Sequence, residues 1–268
     1  MSAGLAMAES GTPLIDLRSV QKSYETDTGS VQALASVDLK IEKGEFISLL
    51  GPSGCGKTTL MSLIAGLASP TEGEVWIANK PIREPYTNLG IVFQNAELLD
   101  WRTSLQNILL QIEIRRMDAK SYLPAAEKLL AQVGLKGFED KYPDELSGGM
   151  KQRVALCRAL IHDPEILLMD EPFGALDAMT RDQMNTDVQR IWMQSKKTAV
   201  LVTHSIDEAV FMSDRVIVMS ARPASVVEDL KIDLPRPRSL DVRDTPAFNE
   251  YTAHLRARFK ALGVFSND

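Results

Sequence analysis

The chain has 268 residues, 44% of them hydrophobic, enough for one sizeable core with room for a smaller subdomain. A formal net charge of −6 argues against a basic surface that binds nucleic acid. Two cysteines, Cys55 and Cys157, make no disulfide framework and fit a reducing compartment, and no apolar run approaches the roughly 20 residues of a membrane-crossing helix.

Residues 1–11 lack the basic start and long apolar centre of a signal peptide and read as a disordered tail. Strands follow at 14–24 and 31–41, with turn-rich residues between them. A short apolar strand at 46–50 runs directly into GPSGCGKT at 51–58, and a helix at 57–66 comes next, closed by Gly66. Further strands are expected at 74–78 and 89–93. From about 95 to 163 the pattern turns helical, with helices at 104–116, 124–133 and 148–162. Strands at 165–169, 198–202 and 215–219 then alternate with helices at 180–196 and 206–212. That alternation argues for a largely parallel sheet covered by helices. A last β segment at 226–234, a proline-punctuated loop and an amphipathic helix at 248–262 complete the pattern.

GPSGCGKT fits G-x-x-x-x-G-K-[ST] in full, in the strand-before, helix-after setting that gives the pattern its meaning. Backbone N–H groups hold phosphate oxygens only if the chain turns sharply and comes close, which Gly51, Gly54 and Gly56 permit. The helix that follows points its positive end at the anion. Lys57 adds a charge near the outer phosphates, and Thr58 offers a hydroxyl to Mg²⁺. The whole run Gly51, Pro52, Ser53, Gly54, Cys55, Gly56, Lys57, Thr58, with Thr59 after it, is assigned to the phosphate chain. Cys157, within an apolar helical run, reads as a small buried hydrophobe.

The apolar strand at 166–169 ends in Asp170 and Glu171, and burying carboxylates there is costly without a use. The functional reading gives Asp170 to the metal and Glu171 to orienting and polarising an attacking water. The bland reading, two acids solvating a strand end, loses ground once paired with the phosphate loop. Ser147-Gly148-Gly149 opens a helix whose free N–H groups make a second anion site. On the residues alone, Ser147 is equally a plain N-cap with a flexible glycine entry behind it.

LSGGMKQR at 146–153 lies between GPSGCGKT and ILLMDEP at 166–172. In sequence and in placement it resembles the signature of ABC-type (ATP-binding cassette) ATPases. The resemblance runs from about 14 to 234. It implies an α/β fold: a P-loop NTPase core with a mostly parallel sheet, an N-terminal antiparallel β subdomain and a helical insert at about 95–163 carrying the signature. Residues 12–235 would form the ATPase domain. Residues 236–268 would be a C-terminal extension with a short helix, to which the sequence assigns no role. The resemblance further implies that the signature of one copy closes over ATP held by another, with Ser147, Gly148 and Gly149 at the γ-phosphate. Met150 departs from the glutamine usual in the family, while the serine and glycines are kept. Gln94 resembles the glutamine that contacts metal and water, and His204 the switch histidine that bonds the γ-phosphate. Asp177 resembles the acid of a loop touching the opposite subunit, and Tyr24 the aromatic that stacks on adenine. Without the resemblance, Gln94 is ordinary polar surface and Tyr24 an edge-strand tyrosine.

The runs GIVFQNAELLDWRTSLQNILL, PFGALDAMTRDQM and SARPASVVEDLKIDLPRPR look most like the nitrate/sulfonate/taurine group of importers. By that likeness the chain is the separate ATPase subunit of an importer for nitrate, a sulfonate or a related small solute such as a pyrimidine precursor. Its cofactors would be ATP and Mg²⁺. Its partners would be a second copy, a transmembrane permease and, indirectly, a solute-binding protein, with no nucleic acid. Its place would be the cytoplasmic face of the inner membrane. Leu98, Leu99 and Trp101 would line a groove for the permease, or serve as ordinary packing. Two alternatives stay open here: a soluble ABC ATPase of DNA repair or translation, and an assembly module that binds ATP without cleaving it.

Overall fold

The strands, in chain order, are β1 (Ile15–Thr26), β2 (Gly29–Ile41), β3 (Phe46–Leu50), β4 (Glu72–Ile77) and β5 (Lys80–Pro81), then β6 (Leu89–Val92), β7 (Ile166–Asp170), β8 (Thr198–Thr203), β9 (Arg215–Met219) and β10 (Val226–Lys231). The helices are α1 (Lys57–Ile64), α2 (Ser104–Ile114), α3 (Ala119–Gln132), α4 (Gly148–Leu160), α5 (Ala178–Ser195), α6 (Ile206–Met212) and α7 (Pro246–Ala261). This computed structural model describes residues 12–27 and 29–264. The tail expected at 1–11 lies outside the described residues.

Two sheets form. β1 pairs antiparallel with β2 on one side and with β4 on the other, and β5 hangs on β4. The second sheet runs β10-β9-β3-β8-β7-β6. Within it β9, β3, β8, β7 and β6 are parallel, and β10 closes one edge antiparallel. Every residue of β3 and β8 is buried, which is why those strands read as near-continuous apolar runs, interrupted only by Ser48 and the end threonines Thr198 and Thr203. Their side chains still divide by the two-residue strand period. Ile47, Leu49, Leu168, Val200, Val202 and Ile217 join α1 and the antiparallel sheet. Phe46, Leu50, Leu167, Met169, Leu201 and Val216 join the core built by the helices of the other face.

α2, α3 and α4 make the helical insert. A capping box at Thr103 and Gln106 starts α2. The sequence reading starts α3 at Pro124, but Asp118 starts it earlier, its carboxylate accepting from Lys120 N at 3.1 Å. Pro124 then sits inside the helix, which gives up one ladder bond and still buries Ala126 and Leu130. α4 crosses β6 so closely that a Cβ on Gly90 would stand 2.2 Å from the Ala159 carbonyl oxygen.

Residues of the C-terminal segment pack against the rest of the chain. Arg238 is 3% exposed, and its guanidinium donates to the carbonyls of Val210, Phe211 and Ser213 at 2.8, 3.0 and 2.8 Å. It thereby serves the orphan acceptors at the end of α6. Burial, with Arg236 close by, pulls its pKa down to about 10. Thr245 caps α7 with Pro246 at the first position, and Phe248, Leu255 and Phe259 enter the core.

Candidate functional site

The five parallel strands bring their carboxyl ends to one edge, where open α/β sheets bind ligands. The phosphate loop leaves β3, Gln94 follows β6, Asp170 and Glu171 end β7, and His204 follows β8. Sequence-distant residues meet there because the strands that carry them are neighbours.

The loop folds as the glycine spacing requires. Gly54 and Gly56 take φ of 71° and 127°. Gly56 also lacks room, since a Cβ would lie 2.9 Å from Leu34 Cδ2 and 3.0 Å from the Ala33 carbonyl. Lys57 is 4% exposed and curls back to donate to the Gly51 and Pro52 carbonyls at 2.8 and 2.9 Å. The nearest carboxylate oxygen, on Glu171, is 4.0 Å away. A buried ammonium held by carbonyls and one distant acid is only partly neutralised, so an anion in front of it is favoured.

One cavity of about 320 Å³ sets Ser53, Gly54, Gly56, Lys57, Thr58 and Thr59 against Gln94, Asp170 and Glu171. The Thr58 hydroxyl donates to Asp170 at 3.2 Å. Burial raises the Asp170 pKa, with the Thr58 bond opposing it. A hydroxyl, a carboxylate and an amide are the oxygen donors a hard divalent cation takes. Among the described residues no group of three His, Cys, Asp or Glu could hold a metal unaided. The hydroxyl, carboxylate and amide supply part of an oxygen shell, which suits a cation that arrives with oxygens of its own, as on a phosphate chain.

Glu171 sits at φ 43°, a region costly for a side chain without a purpose. That backbone turn points the carboxylate between two groups: His204 Nδ1 at 3.1 Å and Lys57 Nζ at 4.0 Å. Cys55 is buried, and burial pushes its thiol up, as it does for Cys157, which disfavours the reactive thiolate at both.

Several expected residues lie outside this cavity. Ser147 caps α4, accepting from Met150 N at 3.3 Å; Ser147 and Gly148 are exposed and Gly149 is buried. Asp177 is exposed and caps α5, a bond from Thr180 N holding its carboxyl below the usual range. Tyr24 is exposed on β1 with the Lys22 ammonium 4.9 Å from its ring. A separate groove of about 370 Å³ runs past Gln94, Leu98, Gly148 and Pro172. Of the three apolar residues assigned to a permease groove, Leu98 lines this one, the Leu99 backbone is tied to the Asn107 side chain, and Trp101 is 73% exposed.

Two residues of this edge escaped the sequence reading. Arg222 lines the phosphate cavity. Glu208 of α6 is buried behind His204, facing Thr203, Asn185 and Arg181, and burial raises its pKa. Its spacing from Ser205 reads as a surface capping box, which hides the burial. Above the ordinary value of 4.5 the unfolded chain ionises this acid before the folded one does. Folding then takes up a proton, so this acid's contribution to stability falls as pH rises toward the raised value. Glu208→Gln escapes that cost. It is expected to melt at a higher temperature than the parent at about pH 8, with the gap closing by about pH 4, in thermal unfolding scans.

Comparison with known proteins adds to this geometry. The family model described as ABC transporter matches residues 34–174. An uncharacterized ABC transporter ATP-binding protein of Methanocaldococcus jannaschii is 47% identical over 254 residues, covering 95% of this chain and 92% of that one. The aliphatic sulfonates import ATP-binding protein SsuB of Bacillus cereus is 40% identical over 250 residues, covering 93% and 97%. Among solved structures, a dimeric ATP-binding cassette in a post-hydrolysis state, bound to ADP and phosphate, superposes with a TM-score of 0.72. It is 32% identical and covers 82% of this chain and 100% of its own.

Proposed function

Because the chain belongs to the ABC transporter family, we propose that it binds and hydrolyses ATP to drive a membrane importer, as a pair of identical subunits. The observation that carries this reading is the division of the machinery. The phosphate loop, Gln94, Asp170 and Glu171 share one cavity, while Ser147, Gly149 and Asp177 lie outside it in the same chain. A second copy, turned to face the first, would bring that serine–glycine helix start over the nucleotide. Its N–H groups and dipole favour the γ-phosphate.

Within one chain, the loop N–H groups and Lys57 hold the phosphates. Tyr24, exposed on β1, offers its ring to the adenine. Thr58, Asp170 and Gln94 would hold Mg²⁺, which when bound offsets phosphate charge. Glu171 orients the attacking water and accepts its proton. His204 positions that carboxylate through Nδ1, leaving Nε2 for the terminal phosphate. Asp177 faces the opposite subunit.

No helix among the described residues is long and apolar enough to cross a membrane. Attachment at the cytoplasmic face therefore falls to a permease. Phe93, Trp101 and Ile114, 41%, 73% and 66% exposed, offer apolar surface to it around the Gln94 segment and the insert. The solute, received from a separate binding protein, is an aliphatic sulfonate or a related small anion such as nitrate. Phosphate release from MgATP by the purified chain, and its isolation from membranes together with an integral membrane protein, test the reading. A chain that releases no phosphate alone or with its permease refutes the catalytic part.

A further inference from the structure

The chemistry proposed above leaves Arg222 without a task, although its side chain shares the cavity with Lys57, Thr58 and Glu171. It lies in residues 220–225, which follow β9. That strand adjoins β3, so Arg222 reaches the site by the same rule as Gln94 and His204: it leaves the carboxyl end of a parallel strand. Its segment is fixed. Ala224 is buried, donating to the Ala33 carbonyl at 3.0 Å and accepting from Ala35 N at 2.9 Å. Ser225 N donates to Ser220 Oγ at 3.0 Å.

The guanidinium spends one N–H on the Gly54 carbonyl, at 2.9 Å. A guanidinium carries five donors. The acids of the cavity are engaged elsewhere, Glu171 with Lys57 and His204, Asp170 with Thr58. Two cations, Lys57 and Arg222, thus border one small cavity already rich in backbone N–H groups. Like charges so placed repel, and a polyanion between them more than offsets that repulsion. Arginine's planar fork suits phosphate oxygens.

We infer that Arg222 binds the phosphate chain of the nucleotide held by its own subunit, completing the cradle from the side opposite the acids' strand. This rests on the nucleotide reading above. The competing role is a brace, in which Arg222 only steadies the Gly54 carbonyl. Arg222→Gln keeps an amide donor and drops the charge; Arg222→Lys keeps a charge. The residue is exposed, so both variants are expected to fold.

The probes are ATP, AMP and inorganic tripolyphosphate, each displacing a fluorescent ATP analogue from the intact protein. Arg222→Gln is expected to weaken ATP and tripolyphosphate about tenfold and AMP much less, with Arg222→Lys recovering most of the loss. Unchanged ATP affinity in Arg222→Gln, or equal losses for ATP and AMP, overturns the inference and leaves the brace. A parent protein that binds no ATP, or one whose binding ignores Lys57→Ala, overturns the nucleotide reading and this inference with it.

Discussion

Glu171→Gln is expected to cut ATP turnover by about two orders of magnitude or more while nucleotide binding persists. The amide keeps the shape of the side chain and its contact to His204 but cannot take a proton from water. It also lifts the negative charge 4.0 Å from Lys57, so the phosphate side of the cavity becomes more attractive to the triphosphate. The variant should therefore accumulate as a nucleotide-loaded pair, visible as a doubled mass by size-exclusion chromatography with ATP. Phosphate release at the parent rate would remove Glu171 from the chemistry. The backbone adds a control: at φ 43° glutamine pays the same conformational cost as glutamate, so lost turnover cannot be assigned to a new loop shape.

Mixing two dead proteins is expected to give a live one. Lys57→Ala removes the buried ammonium from the phosphate loop, and Ser147→Arg blocks the helix start of α4. Each alone leaves both sites of a symmetric pair damaged. In a mixed pair of the proposed arrangement, where the α4 start of the first subunit would cover the loop of the second, both lesions fall on one site. The other site is then intact, and phosphate release reappears. If mixing restores nothing while the pairs are seen to exchange subunits, the serine–glycine turn does not act across the interface. Ser147 is exposed, and the buried Lys57 ammonium is held by loop carbonyls and not by apolar side chains, so neither change opens a hole in the apolar core.

Much of this site was readable because its parts are local. GPSGCGKT fits its strand–loop–helix setting within a few residues, and the acids after ILLM declare themselves by ending a buried run. Gln94 and His204 carry no such mark. They become legible through likeness to a family, and the structure explains why: they follow strands that flank β7. Arg222 and Arg238 stayed hidden for the converse reason. Arg222 meets Gly54 across 168 residues of sequence, and Arg238 meets the end of α6 across 25 to 28. No spacing rule spans such gaps. Two local signals compete at the start of α3, Pro124 as a first-turn proline and Asp118 as a cap. The cap prevailed, and the helix absorbed the proline.

The hold that Arg238 takes on α6 reaches further than its position suggests. α6 begins two residues after His204, so whatever secures the far end of that helix also steadies the near end beside that histidine. A gene shortened to stop before Arg238 would keep every recognisable motif and still yield a damaged enzyme. In that sense the closing stretch is a rear mooring for the histidine, and its loss is expected to lower ATP turnover.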